Sequence, residues 1–249
     1  MRANTSFPVR ACGAAAAALT LCGLAQAQSS APASADAGNP VLVELFLSQA
    51  CNMCPPAAAL FPEIAAREDV VAIAWHVDYW NMTDSPHGRW PDPFSKPEFT
   101  KRQKYYNLNI RHKSSIYTPQ IVVGGAQQTV GANAEKIRVL IDDADRDTAP
   151  VSVAAEDGVI RFSVGESPEG GNAYLVMFKR TAKTRISGGE NAGKVFDEVN
   201  VATGMRRLGL VRRSGADLSV PAPAAGEGCA LIIQEPKQAR VVAASYCGS

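Results

Sequence analysis

Two cysteines separated by two residues, Cys51 and Cys54, provide the clearest chemical signal in this sequence. A C-x-x-C motif at the start of a helix brings two sulfurs close enough to bond, and the helix N-terminus stabilises a thiolate. Pro55 and Pro56 follow the motif, and proline suits the first helical turn because the N–H groups there lack partners. The spacing therefore predicts that Cys51 is the attacking thiol and Cys54 the resolving thiol of a thiol–disulfide oxidoreductase.

Two other interpretations of the cysteine pair remain open. Cys51 and Cys54 are soft ligands that could hold copper together with Met53 and His76, as in a copper-binding or copper-delivery module. The pair could also be a structural disulfide in a non-catalytic binding or scaffold protein. A zinc site is disfavoured, because the sequence has no second C-x-x-C and no His-x-x-x-His to complete one. The leading interpretation therefore requires neither a metal nor a cofactor.

The composition is that of an ordinary globular protein of 249 residues, with 46% hydrophobic and 20% charged residues. The formal net charge is +1, which argues against a nucleic-acid partner because such a surface needs a concentrated positive field. No apolar run reaches the roughly 18–20 residues that span a bilayer, so we expect no integral membrane segment in the mature chain.

The N-terminus has the pattern of a secretory signal peptide. Arg2 and Arg10 form a positive region, residues 11–24 are small and apolar, and Ala25-Gln26-Ala27 is a cleavage signal. The pattern predicts cleavage after Ala27 and a periplasmic or secreted protein, although a short buried helix is the alternative for residues 1–27. Residues 28–40 are rich in Ala, Ser and Pro, which predicts a flexible leader.

Cleavage after Ala27 would leave four cysteines, an even number that points to disulfides in an exported protein. Cys51 and Cys54 are local partners, which leaves Cys229 and Cys247. These two flank a predicted hairpin near the C-terminus, and we expect them to form a structural disulfide.

Hydrophobic patterning predicts two structural regions. Residues 41–149 show the order β-α-β-(α)-β-β-α, interrupted at residues 78–115 by a Pro-rich excursion with a helix. Residues 150–249 consist of short apolar runs with Gly-rich turns, which predicts a small antiparallel, sandwich-like β-unit as a second domain.

The strand before the cysteines and the Thr118-Pro119 pair before a later strand resemble the thioredoxin fold. The resemblance implies a cis Thr118–Pro119 bond packed against the cysteines, a backbone that receives the substrate peptide, and a proline that discourages metal binding. It also implies that Glu44, on the preceding strand, is a buried acid that moves the proton of the resolving thiol. A solvated Glu44 at the edge of the strand is the alternative.

A narrower resemblance comes from a set of short motifs spread over the chain from about Pro40 onward. The motifs are Val43-Glu44-Leu45-Phe46, Ser48-Gln49, Cys51-x-x-Cys54-Pro55-Pro56-Ala57, His76-Val77-Asp78-Tyr79-Trp80, Asp92-Pro93-Phe94, Arg102-Gln103 and Tyr117-Thr118-Pro119-Gln120. Together they resemble an uncharacterised family of exported bacterial thioredoxin-like proteins, a domain of unknown function. The resemblance implies an α/β thioredoxin-like fold with a helical and loop insertion, whose partners are protein thiols or disulfides and a redox partner protein.

Four residues around the excursion are candidates for substrate binding. Asp78 and Trp80 follow the second predicted strand, at the end where an α/β sheet places its site. Asp78 could orient a substrate or pair with Arg89 or Arg102, or it could simply cap the excursion. Trp90 lies in a Pro-rich loop suited to a partner surface, and Tyr117 precedes Thr118-Pro119.

Overall fold

The computed structural model describes residues 1, 3–4, 39–238 and 240–248. The predicted signal peptide and leader therefore lie almost entirely outside the described residues, and the structure says nothing of cleavage after Ala27.

Eleven strands and three helices make up the described part of the chain. The first half contains β1 (Val41–Leu47), α1 (Pro55–Ala65), β2 (Val70–His76), α2 (Pro97–Arg111), β3 (Gln120–Val123), β4 (Gln127–Val130) and α3 (Ala134–Asp142). The second half contains β5 (Val151–Glu156), β6 (Val159–Val164), β7 (Gly171–Arg185), β8 (Val195–Val211), β9 (Ala216–Pro221), β10 (Glu227–Gln234) and β11 (Val241–Tyr246). A 3₁₀ turn, Pro236–Gln238, joins β10 to β11.

Eight of the strands form one mixed sheet in the order β11-β10-β7-β8-β2-β1-β3-β4. β1 and β2 are parallel, as expected for strands joined by a helix, whereas β3 and β4 form an antiparallel hairpin beside β1. β8 joins β2 in parallel through one pair, Val201 and Ala74. The strands β5, β6 and β9 form a separate three-stranded antiparallel sheet.

The predicted fold class is wrong. The structure is mostly β, and its three short helices do not make an α/β thioredoxin-like fold with a helical insertion followed by a small sandwich-like β-unit. The reason lies in the hairpin of β7 and β8, whose strands are 15 and 17 residues long, far longer than the short apolar runs indicate. This hairpin attaches to β2, so strands from both sides of residue 149 share one sheet.

The sheet separates two hydrophobic layers. On one face, alternate residues of β1 pack with α1, α3, Cys51 and Cys54. On the other face, the intervening residues of β1 pack with α2 and with buried Trp75. A third core fills the space between the three-stranded sheet and β7, β10 and β11.

Local signals placed the elements around the cysteines correctly. β1 and β2 lie where their apolar runs predict them, and all of their residues are buried. α1 begins at Pro55 and contains Pro62. Asn133 caps α3 as predicted, because its side chain accepts a hydrogen bond from the backbone N–H of Lys136.

Candidate functional site

The loop between β1 and α1 holds Cys51 and Cys54 in a disulfide, with their Cα atoms 5.4 Å apart. The backbone N–H of Cys54 donates to the carbonyl of Cys51 at 3.2 Å, which closes the turn, and Cys54 is the N-cap of α1. Both cysteines are 0% exposed, whereas Asn52 and Met53 between them are exposed. In this state the surface therefore presents the middle of the motif and not its sulfurs.

The start of α1 offers little direct hydrogen bonding to a thiolate. Pro55 and Pro56 occupy the first two helical positions and have no N–H, and the N–H of Ala58 donates to the Cys54 carbonyl. A thiolate formed here on reduction would lie in the favourable field of the helix dipole. The first turn has no acidic residue to oppose it.

The segment before β3 lies against Cys51. The Thr118–Pro119 peptide bond is cis, as the resemblance implied. Sγ of Cys51 lies 3.9 Å from the carbonyl oxygen of Thr118, and the Thr118 hydroxyl accepts a hydrogen bond from Trp80 Nε1 at 2.8 Å. The structure thus brings together Cys51, Cys54 and Thr118, with Trp80 fixing the side chain of Thr118.

Pro119 packs on the same face of the sheet as the cysteines. A Cβ built at Gly131 would lie 2.9 Å from Cβ of Pro119, 3.0 Å from Leu45 and 3.3 Å from Ala57 of α1. Since Leu45 and Ala57 belong to the core that holds Cys51 and Cys54, Pro119 lies beside that core.

Glu44 is buried, but the structure does not bring it to the cysteines. Its neighbours Val43 and Leu45 face the cysteines, so its own side chain points to the opposite face of the sheet. There it pairs with Arg102, with Oε1–Nε and Oε2–Nη2 distances of 2.6 and 3.0 Å, and it accepts a short hydrogen bond from Tyr106.

The charge of Arg102 stays buried together with that of Glu44. Burial by itself lowers the pKa of the Arg102 guanidinium, but the Glu44 carboxylate outweighs burial and raises that pKa further above its usual value. For Tyr106 the effect of burial has the opposite sign, and it raises the pKa of the hydroxyl. This cluster therefore holds α2 to the sheet as a buried ion pair.

Gln49 connects the cysteine loop to its surroundings, and sequence reasoning gave it no role. Its backbone N–H donates to Asp92 Oδ2 at 2.7 Å and its side-chain amide donates to Glu198 Oε2 at 2.8 Å. Its side-chain oxygen accepts from Trp90 Nε1 at 3.2 Å, and its carbonyl accepts from Asn191 Nδ2 at 2.9 Å. The loop before Cys51 is thus fastened to the excursion and to the β7–β8 hairpin.

A buried histidine lies between two carboxylates behind Gln49. His76 Nδ1 lies 2.7 Å from Asp92 Oδ2, and its Nε2 lies 3.3 Å from Glu198 Oε1. Burial by itself lowers the pKa of His76, but Asp92 and then Glu198 outweigh burial and raise it to about 10. Burial likewise tends to raise the pKa of Asp92, but the His76 charge holds it below its usual value. His76 therefore connects β2 to the excursion through Asp92 and to β8 through Glu198.

The remaining candidates for substrate binding have mainly local partners. Asp78 bonds to the Thr100 hydroxyl of α2 and pairs with neither arginine suggested for it. Tyr117 bonds to Gln128, and its ring lies under the guanidinium of Arg111. Trp80 and Trp90 are both half-buried and pack against the core that contains the cysteines. Both tryptophans therefore pack at the edge of this core and are only partly exposed.

The second disulfide joins Cys229 at the start of β10 to Cys247 after β11, with the Cα atoms 5.3 Å apart. This pairing agrees with the expected one, and both residues are buried.

The ligand set of the copper hypothesis does not assemble around the cysteines. Both ring nitrogens of His76 face carboxylates, and Met53 is 66% exposed. Within the described residues, no group of three or more His, Cys, Asp or Glu side chains is arranged to hold a metal ion. None of the described helices is both long enough and apolar enough to cross a membrane.

The fold and the site define a β-rich protein with a bonded C-x-x-C pair at a helix start. Residues 42–234 match a family described as "Protein of unknown function (DUF1223)", and the chain belongs to that family. The sequence motifs predicted an uncharacterised family, and that part of the prediction is confirmed. No curated protein matches the chain.

One solved structure is similar to this chain in fold. The crystal structure of protein AGR_C_4864 from Agrobacterium tumefaciens aligns with a TM-score of 0.69 and 23% identity, over 84% of this chain and 94% of that one. The solution structure of R. palustris CsgH aligns with a TM-score of only 0.15 and 12% identity, over 35% of this chain and 80% of that one.

Proposed function

We propose that the protein is an exported thiol–disulfide oxidoreductase in which Cys51 is the nucleophile and Cys54 the resolving thiol. The observation that carries the proposal is the bonded Cys51–Cys54 pair at the N-terminus of α1, with Sγ of Cys51 facing the Thr118 carbonyl. The helix dipole favours the thiolate form that attacks disulfides.

The reaction transfers two electrons from a dithiol to a disulfide, one of which is the Cys51–Cys54 pair and the other the substrate. The Cys51 thiolate attacks one sulfur of a substrate disulfide, and the other substrate sulfur leaves as a thiolate. Cys54 then attacks Sγ of Cys51, which releases the second substrate thiol and restores the Cys51–Cys54 bond. The reverse sequence oxidises a substrate dithiol, so the substrates are protein thiols or disulfides and a partner protein resets the pair.

Export rests on the N-terminal sequence pattern and agrees with the second disulfide. Buried disulfides such as Cys229–Cys247 form and persist in oxidising compartments. We therefore propose that the protein works in the periplasm or outside the cell after cleavage at Ala27.

One observation favours a second candidate, in which Cys51–Cys54 is a structural disulfide of a non-catalytic protein. Both residues are 0% exposed, and a sulfur without an access path cannot attack a protein substrate. Once the pair is reduced, the first candidate predicts exchange with a substrate disulfide and the second predicts none.

The test is trapping of mixed disulfides with the purified protein. The Cys54→Ser variant should accumulate a mixed disulfide with a model disulfide substrate, because its Cys51 thiolate attacks the substrate disulfide but no resolving thiol releases the product. The Cys51→Ser variant should not exchange. The Cys229→Ser/Cys247→Ser double variant is the matched control and should exchange like the wild type. Equal exchange by wild type and Cys51→Ser would refute the proposal.

A further inference from the structure

The distal end of the β7–β8 hairpin covers the cysteine pair. β10 pairs with β7 only as far as Lys179, so the hairpin continues beyond its neighbour and reaches α1. Ile186 after β7 and Phe196 of β8 lie in the same core as Cys51 and Cys54. We call residues 186–194, which connect the two strands, the tip loop.

Asn191 fastens the tip loop to the backbone of the cysteine loop. Its Nδ2 donates to the carbonyl of Cys51 at 2.8 Å and to that of Gln49 at 2.9 Å. Its Oδ1 accepts from Lys194 Nζ at 2.8 Å, which orients the amide so that its two donors face the carbonyls. Asn191 is 0% exposed, so no water replaces these bonds while the loop stays in place.

The tip loop also lies flush against the excursion. A Cβ built at Gly188 would come within 2.6 Å of the Arg89 carbonyl oxygen. A Cβ built at Gly189, where φ is +70°, would come within 2.9 Å of Cβ of Trp90. Trp90 in turn bonds to the side chain of Gln49. Two glycines therefore allow the close fit that completes the cover.

We propose that the tip loop controls access to Cys51 and that Asn191 is the positioning residue that holds it closed. This inference rests on the proposed function and adds its regulation: the loop must lift before the sulfur of a substrate can line up with Sγ of Cys51. A closed loop protects the thiolate from adventitious thiols and oxidants, and a substrate that stabilises the lifted loop gains access.

The experiment measures alkylation of Cys51 by iodoacetamide in the reduced full-length protein, with the modified residue identified by peptide mass. Asn191→Ala removes two hydrogen bonds that exist only in the closed state. Labelling through local opening should therefore accelerate about tenfold or more. Gly188→Ala is a second variant, which lifts the loop from Arg89 without touching Asn191 and should also accelerate labelling.

Asn200→Ala is the matched control. Asn200 lies on the same hairpin and donates both to the carbonyl of Ala72 and to the Tyr246 hydroxyl, each at 3.0 Å, away from the cysteines. Its loss destabilises the hairpin without releasing the tip loop, so labelling of Cys51 should change little. The pH midpoint of labelling in Asn191→Ala should stay below the ~8.5 of an unperturbed thiol, because α1 remains folded in the opened state.

Two results would overturn the inference. One is labelling no faster in Asn191→Ala and Gly188→Ala than in the wild type. The other is equal acceleration by Asn200→Ala, with a midpoint near ~8.5, which would indicate general unfolding. Alkylation reports access and not exchange, so accelerated labelling without exchange activity would refute only the proposed function.

Discussion

The buried His76 should make the stability of this protein fall steeply in mildly alkaline solution. Its pKa is raised from 6.5 to about 10 by Asp92 and Glu198, so the folded state keeps a proton that the unfolded chain loses. This stabilisation is complete below pH 6.5 and is lost as the pH rises towards 10. The full shift of the His76 pKa corresponds to ~5 kcal/mol of unfolding free energy.

The expected slope can be worked out for one proton. At a pH where His76 is protonated in the folded state and neutral in the unfolded state, the free energy of unfolding decreases by ~1.4 kcal/mol per pH unit. Between pH 7 and pH 9 the loss should therefore be about 2–3 kcal/mol. The Tyr79 hydroxyl, whose pKa burial raises to about 12, contributes only above this range.

Urea unfolding followed by tryptophan fluorescence, with both disulfides intact, measures this slope. His76→Gln should be less stable at pH 7 but should show almost no decrease between pH 7 and pH 9. If that variant is too unstable, Glu198→Gln keeps the histidine, lowers its pKa and makes the slope flatten before pH 9. Parallel slopes in wild type and variants would refute the assignment of an imidazolium to this site.

Three further predictions concern stability. Arg102→Met should cost about 3–5 kcal/mol because it leaves the Glu44 carboxylate buried without its cation, and Glu44→Gln/Arg102→Met should recover part of that loss in a double-mutant cycle. Gly131→Val should destabilise the protein by about 1–3 kcal/mol in urea unfolding, because its side chain would overlap Pro119, Leu45 and Ala57; an unchanged midpoint would contradict the packing. Cys229→Ser/Cys247→Ser should lose about 2–4 kcal/mol in the same assay while the Cys51–Cys54 bond stays intact by mass.

Short-range signals in the sequence predicted much of the region around the cysteines. The apolar runs of β1 and β2, the prolines that begin α1 and the Asn133 cap all act within a few residues of the element that they specify. Cys229 and Cys247 flank the turn between β10 and β11, so their pairing follows from a local hairpin. Such features depend on residues that are close to one another in the sequence.

Long-range partners could not be predicted in the same way. Asn191 lies 140 residues from Cys51, and Glu198 lies 149 residues from Gln49, so no spacing connects them. The sequence offers Arg89 or Arg102 as a partner of Asp78, but Arg102 pairs with Glu44 on the α2 face of the sheet and Arg89 pairs with exposed Asp84. The fold class was wrong because β7 and β8 pair with each other along their whole length and join β2 through Val201 and Ala74, which are 127 residues apart in the sequence.

The reduction potential of the Cys51–Cys54 pair tests the central claim most directly. The protein would be equilibrated in glutathione buffers and the state of the pair read by alkylation and mass, with Cys229→Ser/Cys247→Ser as the control that isolates this bond. A catalytic pair predicts a potential between about −120 and −270 mV. A potential below about −300 mV is that of a structural disulfide and would contradict the proposed function.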